Sequence, residues 1–419
     1  MNSRLIVWLI SAIEQGASSA LSFVIMILAA RALGKESFGY VSTGWQIVVF
    51  ALTFASGTIF SAMVLNLTGA GVHRLNLHAR WAWNAKLMLF FSGATAGLLA
   101  FNLRDRLDFV PVVVGGGAVA ASRIALEIDR RWCIVIGAPW RAALGSVTAL
   151  FSVLICFMAW WFFTHEGERT ATGALLCCAL GFFLASCLGG VGRLVPPQPL
   201  STSRKYSRAV LRRYGRFLKW CIPSTIIGLA GGIAAPFILA AATGPTSVAD
   251  FNAVRTVFGV LQVLIMGLVV HAAVRQRRAY FTGGIRGLWH ETWPWLLLSV
   301  GLGLLFFMVM IFSGNLIIGR LFGPSFSIDS MLILSFSMVY VLLGPSGLMG
   351  NAVEVTGLFR WNLAASIVAA MLTLSLMYPV ALHYGVGAGA LVMVVTELAI
   401  LCVRCSALFV VANKPRNDQ

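Results

Sequence analysis

The chain has 419 residues, of which 59% are hydrophobic and only 11% are charged, and its mean hydropathy is +0.88. Soluble domains carry about 25% charged residues, so this composition excludes a soluble enzyme, and its high hydrophobicity excludes a disordered chain. The net charge of +17 would suit a nucleic-acid-binding protein, but such a protein would not be so apolar. The composition indicates a polytopic membrane protein that does not bind nucleic acid.

Twelve apolar stretches have about the length that a helix needs to cross a bilayer, roughly 20 residues. The first is predicted to be an uncleaved span, because it is longer than a signal-peptide core and contains Glu14. The fourth is the shortest and carries three consecutive glycines, Gly115, Gly116 and Gly117. The predicted spans are residues 5–30, 40–66, 82–101, 109–126, 142–163, 171–192, 217–242, 251–273, 293–313, 330–350, 362–382 and 386–411.

The basic residues predict the orientation, because cytoplasmic loops of membrane proteins are enriched in lysine and arginine. With the N-terminus inside, 24 of the 31 basic residues fall in inner segments and six in outer loops, which leaves Arg255 within the eighth span. Both termini are therefore predicted to be cytoplasmic. The basic inner segments 203–219 and 275–278 are expected either to contact anionic inner-leaflet lipids or to attract an anionic substrate.

The longest inner loop divides the spans six and six. The predicted domains are an N-terminal bundle (1–192), a basic cytoplasmic linker (193–216), a C-terminal bundle (217–411) and a cytoplasmic tail (412–419). Short motifs recur between the halves: Ile-Leu-Ala-Ala occurs at 27–30 and again at 238–241, and Tyr40 and Phe251 occupy equivalent positions. Because six spans per half give both halves one orientation, we predict an all-α fold of twelve transmembrane helices in two pseudo-symmetric six-helix bundles around a central cavity.

The sequence contains no motif for catalysis or for metal binding. Its six histidines lack metal-ligand spacing, and neither a nucleophile elbow nor a Walker-type phosphate loop occurs. We therefore predict a protein that is not an enzyme and holds neither metal nor cofactor. A membrane enzyme or scaffold of glycan synthesis remains a weaker alternative, because such proteins usually have a large outer loop and every outer loop here is shorter than 20 residues.

Ionisable residues within apolar spans are candidates for function, because their burial in lipid is costly. Glu14 lies near the middle of the first span, as a functional group or a helix-contact residue. Arg255 lies one turn into the eighth span and either meets substrate or extends to the outer interface. Arg31 closes the first span and has the same two interpretations. Glu397, seven residues before Arg404, is expected to pair structurally or to lie at the periphery, and not to take part in transport.

Neutral polar residues and prolines complete the set of candidates. Gln46 and Gln262 lie on spans two and eight, which correspond between the halves, as ligands or as helix–helix contacts. Pro236 and Pro345 lie in glycine-rich parts of spans seven and ten. Because proline removes a helical hydrogen bond, these two are the predicted hinges.

Several local sequences resemble the Wzx-type oligosaccharide flippases, polysaccharide biosynthesis transporters of the multidrug/oligosaccharidyl-lipid/polysaccharide exporter superfamily. They are 28–39 (LAARALGKESFG), 321–326 (LFGPSF), Gly357, Asn362 and 384–390 (YGVGAGA). The resemblance implies a bacterial cytoplasmic (inner) membrane protein that moves polyprenyl-diphosphate-linked oligosaccharide from the inner to the outer leaflet by alternating access, for surface or exopolysaccharide synthesis. It also implies glycan polymerases or glycosyltransferases as further partners.

On this resemblance, the substrate-cavity candidates are Glu14, Arg31, Gln46, Arg255 and Gln262. Arg255 would meet the diphosphate or a sugar acid, and Glu14 would act as a proton or cation site or accept hydrogen bonds from sugars. The alternative is a cation-coupled multidrug or small-solute antiporter on the same scaffold, whose cavity should be more apolar and hold buried acids. A major-facilitator-type carrier is disfavoured, because the turn between spans two and three contains no aspartate.

Overall fold

A computed structural model describes residues 3–55, 72–102, 109–135, 138–188, 222–223, 225–229, 234–326 and 328–412. These residues are helical apart from short connections, with one 3-10 turn at Glu166–Glu168 and no strand among them. The predicted linker 193–216, most of the tail 412–419 and parts of the second, sixth and seventh predicted spans lie outside the described residues. The α-helices are α1 (Ser3–Ala55), α2 (Val72–Asn102), α3 (Phe109–Val135), α4 (Pro139–Phe163), α5 (Ala171–Leu188), α6 (Ala235–Thr243), α7 (Pro245–Phe322), α8 (Ser330–Val355) and α9 (Phe359–Ala412).

The helix starts follow the local sequence. Proline occupies the first turn of α4, α6 and α7, where a missing backbone N–H breaks no hydrogen bond and the fixed φ favours the helix. At the start of α8, the side chain of Asp329 accepts a hydrogen bond from the backbone N–H of Met331 at 3.0 Å. Asp329 is therefore the N-cap that satisfies one of the unpaired donors of the first turn.

Three long helices turn at single glycines instead of at polar loops. Gly34 in α1 (φ 74°, ψ 174°), Gly284 in α7 (φ 60°, ψ −149°) and Gly385 in α9 (φ 84°, ψ 179°) have backbone angles that are essentially restricted to glycine. Spans one and two, eight and nine, and eleven and twelve were predicted as separate helices joined by loops. In the structure each pair is one helical run with one non-helical residue, because glycine alone tolerates so short a turn.

The helices of the described part suit a membrane. Seven helical stretches are long and apolar enough to cross one, judged by length and composition. Ser19–Ala55 overlaps the first and second predicted spans and contains the Gly34 turn, and Arg360–Val410 overlaps the eleventh and twelfth and contains the Gly385 turn. Ala85–Phe101 and Ala171–Cys187 are shorter apolar helices at the third and sixth predicted spans. Apart from the bend at Ala234 in the seventh, the described parts of the predicted spans are helical.

The chain divides into two compact units, Met1–Ile226 and Ile227–Gln419. In the first unit α3 packs against α1, α2, α4 and α5. The α1–α3 crossing is very close, because a Cβ added at Gly116 would lie 2.6 Å from the carbonyl oxygen of Gly44. The Gly115-Gly116-Gly117 stretch therefore permits a helix crossing, and α3 continues through it without a break. The largest fully buried side chains of this unit include Ile25, Phe38, Phe157, Leu175 and Phe182.

In the second unit α8 is the central helix. It packs extensively on both α7 and α9, while the short α6 lies against α9 and α7. Fifteen residues of α8 are buried, which is consistent with its position between two longer helices. The core is rich in phenylalanine, with Phe251, Phe258, Phe322 and Phe336 all fully buried.

One backbone feature repeats between the halves. Gly34 (φ 74°, ψ 174°) follows the first Ile-Leu-Ala-Ala motif, and Gly244 (φ 83°, ψ 175°) follows the second. Each glycine is followed by the helical segment that forms the next predicted span. The sequence repeat at 27–30 and 238–241 therefore marks a repeated turn as well as a repeated helix end.

Candidate functional site

Two of the predicted cavity residues meet at a tyrosine in the second unit. Arg255 and Gln262 lie seven residues apart on α7, which places them on one face two turns apart. The hydroxyl of Tyr340, on α8, donates a hydrogen bond to Oε1 of Gln262 at 3.3 Å. Arg255 lies close enough to Tyr340 for a charge on one group to act on the other. We call Arg255, Gln262 and Tyr340 the Tyr340 cluster.

Aromatic rings hold the Tyr340 cluster in place. The ring of Phe258 lies 5.2 Å from that of Tyr340 and 5.2 Å from that of Phe306, and Phe251 contacts Phe336 edge-on at 4.9 Å. Such offset and edge-to-face arrangements are favoured for aromatic pairs. Tyr340 is 5% exposed, whereas Gln262 is exposed and Arg255 half-buried. The packed aromatic rings form a wall that holds Tyr340 inside the unit, while Gln262 and Arg255 reach its surface.

The chemistry of the Tyr340 cluster suits an anionic ligand rich in hydroxyl groups. A guanidinium offers several donors in a planar fork that matches phosphate oxygens, and it remains charged at any physiological pH. The glutamine amide and the tyrosine hydroxyl each donate and accept hydrogen bonds. A phosphate or sugar acid beside Arg255 and sugar hydroxyls beside Gln262 would satisfy these groups.

The other predicted cavity residues belong to the first unit. Glu14 lies on α1, but its side chain is outside the described part of the structure. Arg31 is exposed, three residues before the Gly34 turn. Gln46 is buried, at 3% exposure, on the second arm of α1. The structure thus groups Arg255 with Gln262, whereas the shared cavity for all five residues stays a prediction.

The two predicted hinge prolines occupy different helix positions. Pro236 lies in the first turn of α6, where proline favours the start of a helix. Pro345 lies inside α8, which is helical from Ser330 to Val355, so it removes one backbone hydrogen bond within a continuous helix. A hinge role for either residue stays a prediction.

A half-buried arginine of the first unit, Arg123, was missed by the sequence reasoning. The guanidinium of Arg123, on α3, lies 5.3 Å from the centroid of the Trp45 ring and 5.4 Å from that of Phe182. It donates to Oγ of Ser22 on α1 at 3.2 Å. A count of loop charges assigns Arg123 to the inner side but carries no information about its burial. A signal in the sequence was Glu127, four residues after Arg123, because opposite charges at this spacing lie on one face of a helix and can interact.

Ion pairs, most of them buried, surround the C-terminal end of α3. Glu127 accepts hydrogen bonds from Arg131 at 2.9 Å and from Arg130, while Lys86 of α2 contacts Asp129 at 2.5 Å. A cavity of about 10 Å³, enough for one water molecule, lies here. Its lining residues are Leu21, Arg123, Leu126, Glu127, Arg130, Ser146, Ala149 and Phe182. These charges join α2, α3 and α1 within the unit and have too little space for a substrate.

Comparison with known proteins identifies the fold. No family model and no curated protein sequence matches the chain. Solved structures do match: an inward-facing multidrug resistance MATE family transporter of the MOP superfamily has a TM-score of 0.70 at 15% identity, over 94% of this chain and 93% of that one. The lipid II flippase MurJ, in an inward closed conformation, has a TM-score of 0.69 at 13% identity, over 96% of this chain and 87% of that one. An outward-facing MATE transporter matches at 0.60, with 14% identity, over 97% and 95%.

These matches confirm the predicted fold class. The chain is an all-α polytopic membrane protein with the fold of MATE transporters and MurJ, a twelve-helix architecture of two pseudo-symmetric halves. The fold is shared by structures that are described as a multidrug transporter and as a lipid flippase. The substrate must therefore be inferred from the residues of this chain.

Proposed function

We propose that the protein is a transporter that moves a polyprenyl-diphosphate-linked oligosaccharide from the inner to the outer leaflet of a bacterial cytoplasmic membrane. The observation that carries the proposal is the Tyr340 cluster, in which a guanidinium and two neutral hydrogen-bonding groups gather on an aromatic wall. The fold supports it, because a lipid II flippase is among the proteins that share it. The local sequences at 28–39 and 384–390, which resemble Wzx-type flippases, favour an oligosaccharide headgroup.

The charge of the cluster argues against the multidrug alternative. An organic cation would be repelled by Arg255, whereas a diphosphate would be attracted to it. Sugar hydroxyls would form hydrogen bonds with Gln262 and Tyr340, which a hydrophobic drug would leave unsatisfied. The proposed substrate therefore uses all three groups of the cluster.

The physical task of such a transporter is to replace water around the headgroup. Unpaired polar groups in hydrocarbon cost several kcal/mol each, so a diphosphate and its sugars do not cross lipid unaided. Polar residues of the transporter supply substitute partners, while the polyprenyl tail stays in lipid. We propose alternating access for the movement, with Pro345 and Pro236 as flexible points. Solved structures of MATE transporters with this fold include an inward-facing and an outward-facing conformation.

The proposed step forms and breaks no covalent bond, so the chain would act as a carrier and not as an enzyme. Its substrate would be supplied by glycosyltransferases on the inner leaflet and used by a glycan polymerase outside. The distribution of lysine and arginine supports cytoplasmic termini. Glu14 would serve as a proton or cation site or as a hydrogen-bond acceptor for sugars.

Deletion of the gene in its host tests the proposal. Loss of the protein should cause the lipid-linked oligosaccharide to accumulate on the inner leaflet. Lipid extraction measures its amount, and resistance of its sugars to externally added glycosidase shows that it faces the inside. The deletion strain is complemented with wild type, with Arg255→Ala or with Glu14→Gln. Complementation with Arg360→Ala is the control for the loss of an exposed arginine. Drug sensitivity without accumulation would overturn the flippase proposal. Full complementation by Arg255→Ala would overturn the role of the Tyr340 cluster alone.

A further inference from the structure

The α7 hairpin folds back on itself about Gly284. Nε2 of Gln276 donates to Oγ1 of Thr292 at 2.9 Å, and these residues lie eight positions on either side of the glycine. A Cβ added at Gly287 would lie 2.5 Å from the carbonyl oxygen of Ala279, so the arms also touch nearer the turn. Gln276 is fully buried and also donates to the carbonyl of Leu348 on α8. The two arms are therefore fixed to each other and to the core of the unit.

The end of this hairpin extends beyond the apolar spans. We call residues 275–293 the hairpin tip. The first arm continues as helix for ten residues after the predicted span end at Ala273, which is about 15 Å at 1.5 Å per residue. The polar headgroup layer is only about 5–7 Å deep on each side of the hydrocarbon. The first turns of the tip, with their arginines, consequently lie at the depth of the headgroups.

The hairpin tip is strongly basic. It contains four arginines, Arg275, Arg277, Arg278 and Arg286, and a single acid, Glu291. Glu291 lies 3.8 Å from Arg275, whose guanidinium also stacks over the ring of Trp295. Arg277, Arg278 and Arg286 are exposed and make no ion pair with another described residue. Three positive charges at the tip thus have no anionic partner within the described protein.

Exposed aromatic side chains accompany these charges. Phe281 is 74% exposed, Trp293 58% and Trp289 37%. Arg277 lies over the ring of Phe281, at 5.9 Å from its centroid. Tryptophan is enriched where a protein meets the membrane interface, since its ring is apolar and its N–H is polar. Neighbouring basic and aromatic side chains are suited to a membrane interface, where anionic headgroups lie next to apolar acyl chains.

We propose that the hairpin tip is a binding site for anionic phospholipid headgroups, with Arg277, Arg278 and Arg286 as its phosphate-binding residues. The occupant is a lipid with net negative charge, because the tip brings an unbalanced positive charge to the depth of the headgroups. Trp293, at the start of the ninth predicted span, and Trp289, one turn before it, lie at the membrane interface. The site is distinct from the Tyr340 cluster, and its occupancy does not depend on the transported substrate.

Binding of defined lipids to the purified, full-length protein in non-ionic detergent tests the proposal. Phosphatidylglycerol and phosphatidylcholine with identical acyl chains are added, and bound lipid is measured by native mass spectrometry together with the unfolding temperature. Phosphatidylglycerol should bind more tightly and raise the unfolding temperature more. Each arginine-to-alanine change should weaken its binding about fivefold. The triple variant R277A/R278A/R286A should bind the two lipids equally.

Two controls make the result decisive. The lysine variant R277K/R278K/R286K keeps the charge and should retain most of the preference, while R360A removes an exposed arginine elsewhere in the unit and should retain all of it. The single variants R277A, R278A and R286A serve if the triple variant does not fold. Equal binding of both lipids by the wild type, an unchanged preference in the alanine variants, or an equal loss in R360A would overturn the proposal. So would binding of a polyprenyl diphosphate at the tip without binding of phosphatidylglycerol.

Discussion

Arg404 binds the main chain of α8 directly after a proline. Its Nη1 donates to the carbonyl oxygen of Ser346 at 2.7 Å and to the Ser346 hydroxyl at 2.9 Å, and its Nε donates to Oδ1 of Asn362 at 3.1 Å. A Cβ at Gly350 would lie 3.0 Å from the guanidinium carbon, so the glycine makes room for it. One side chain from the end of α9 therefore ties the Pro345 turn of α8 to both arms of α9.

Replacement of Arg404 by alanine should strongly destabilise the second unit. Its removal leaves the carbonyl and hydroxyl of the buried Ser346 and the amide oxygen of Asn362 without their donor, and it takes away the positive charge near Glu397 and Glu354. Leaving a buried hydrogen-bonding group unsatisfied costs about 1–3 kcal/mol. The unfolding temperature of the purified protein measures the effect. The double variant Arg404→Met/Glu397→Gln should recover part of the loss, and an Arg404→Ala protein as stable as wild type would contradict this account.

Adjacent glycines in α3 should differ sharply in their tolerance of alanine. At Gly116 a Cβ would collide with the backbone of Gly44, so Gly116→Ala must push α1 and α3 apart. Overpacking of this kind costs about 1–3 kcal/mol. At Gly117 a Cβ would meet nothing within 4 Å, and Gly117→Ala should be neutral or stabilising. Thermal unfolding of the two variants provides the comparison; equal stabilities would refute the close crossing.

The turn at Gly244 should require glycine for its backbone angles alone. A Cβ there would have open space, but φ of 83° and ψ of 175° are strained for any other residue. We expect Gly244→Ala to lower the free energy of unfolding by about 1–3 kcal/mol. Gly259→Ala, in the helical interior of α7 and equally uncrowded, is the matched control and should not destabilise. The same loss of stability in both variants would mean that the turn is not responsible.

The Lys86–Asp129 pair should matter far more than the Arg131–Glu127 pair. The side chains of Lys86 and Asp129 are 10% and 11% exposed, whereas that of Arg131 is 41% exposed. Lys86→Met should therefore cost several kcal/mol and Arg131→Ala at most about 1 kcal/mol. Addition of Asp129→Asn to Lys86→Met should restore much of the stability. A double-mutant cycle by thermal unfolding would show no coupling if the pair did not form.

Hydropathy and charge were sufficient to predict the fold class, because a spanning helix must be apolar over a fixed length. They did not predict the turns at Gly34, Gly284 and Gly385. A window of hydropathy detects a polar stretch and indicates a loop there, whereas whether the backbone stays helical depends on which single residue can adopt a positive φ. Glu397 and Arg404 share one face of α9, since seven residues span two helical turns, but the ion pair between them stays a prediction.

The candidate site was only partly predictable. Arg255 and Gln262 stand out because a charge and an amide are unusual in an apolar span. Their common partner, Tyr340, was missed because tyrosine counts as hydrophobic in a composition analysis, although its hydroxyl needs a partner when buried. Arg123 and Arg404 were counted as inner-side charges, and only packing shows that they lie between helices.

Flipping by the reconstituted protein tests the central proposal most directly. Full-length wild type, Arg255→Ala, Arg255→Lys and Arg360→Ala are placed in vesicles with a polyprenyl-diphosphate-linked oligosaccharide, and the fraction of headgroups accessible to an added glycosidase is followed over time. The account predicts transport by wild type and by Arg360→Ala, a loss of at least tenfold in Arg255→Ala, and partial retention in Arg255→Lys. Wild-type vesicles in which headgroup accessibility equals that of protein-free vesicles would contradict it.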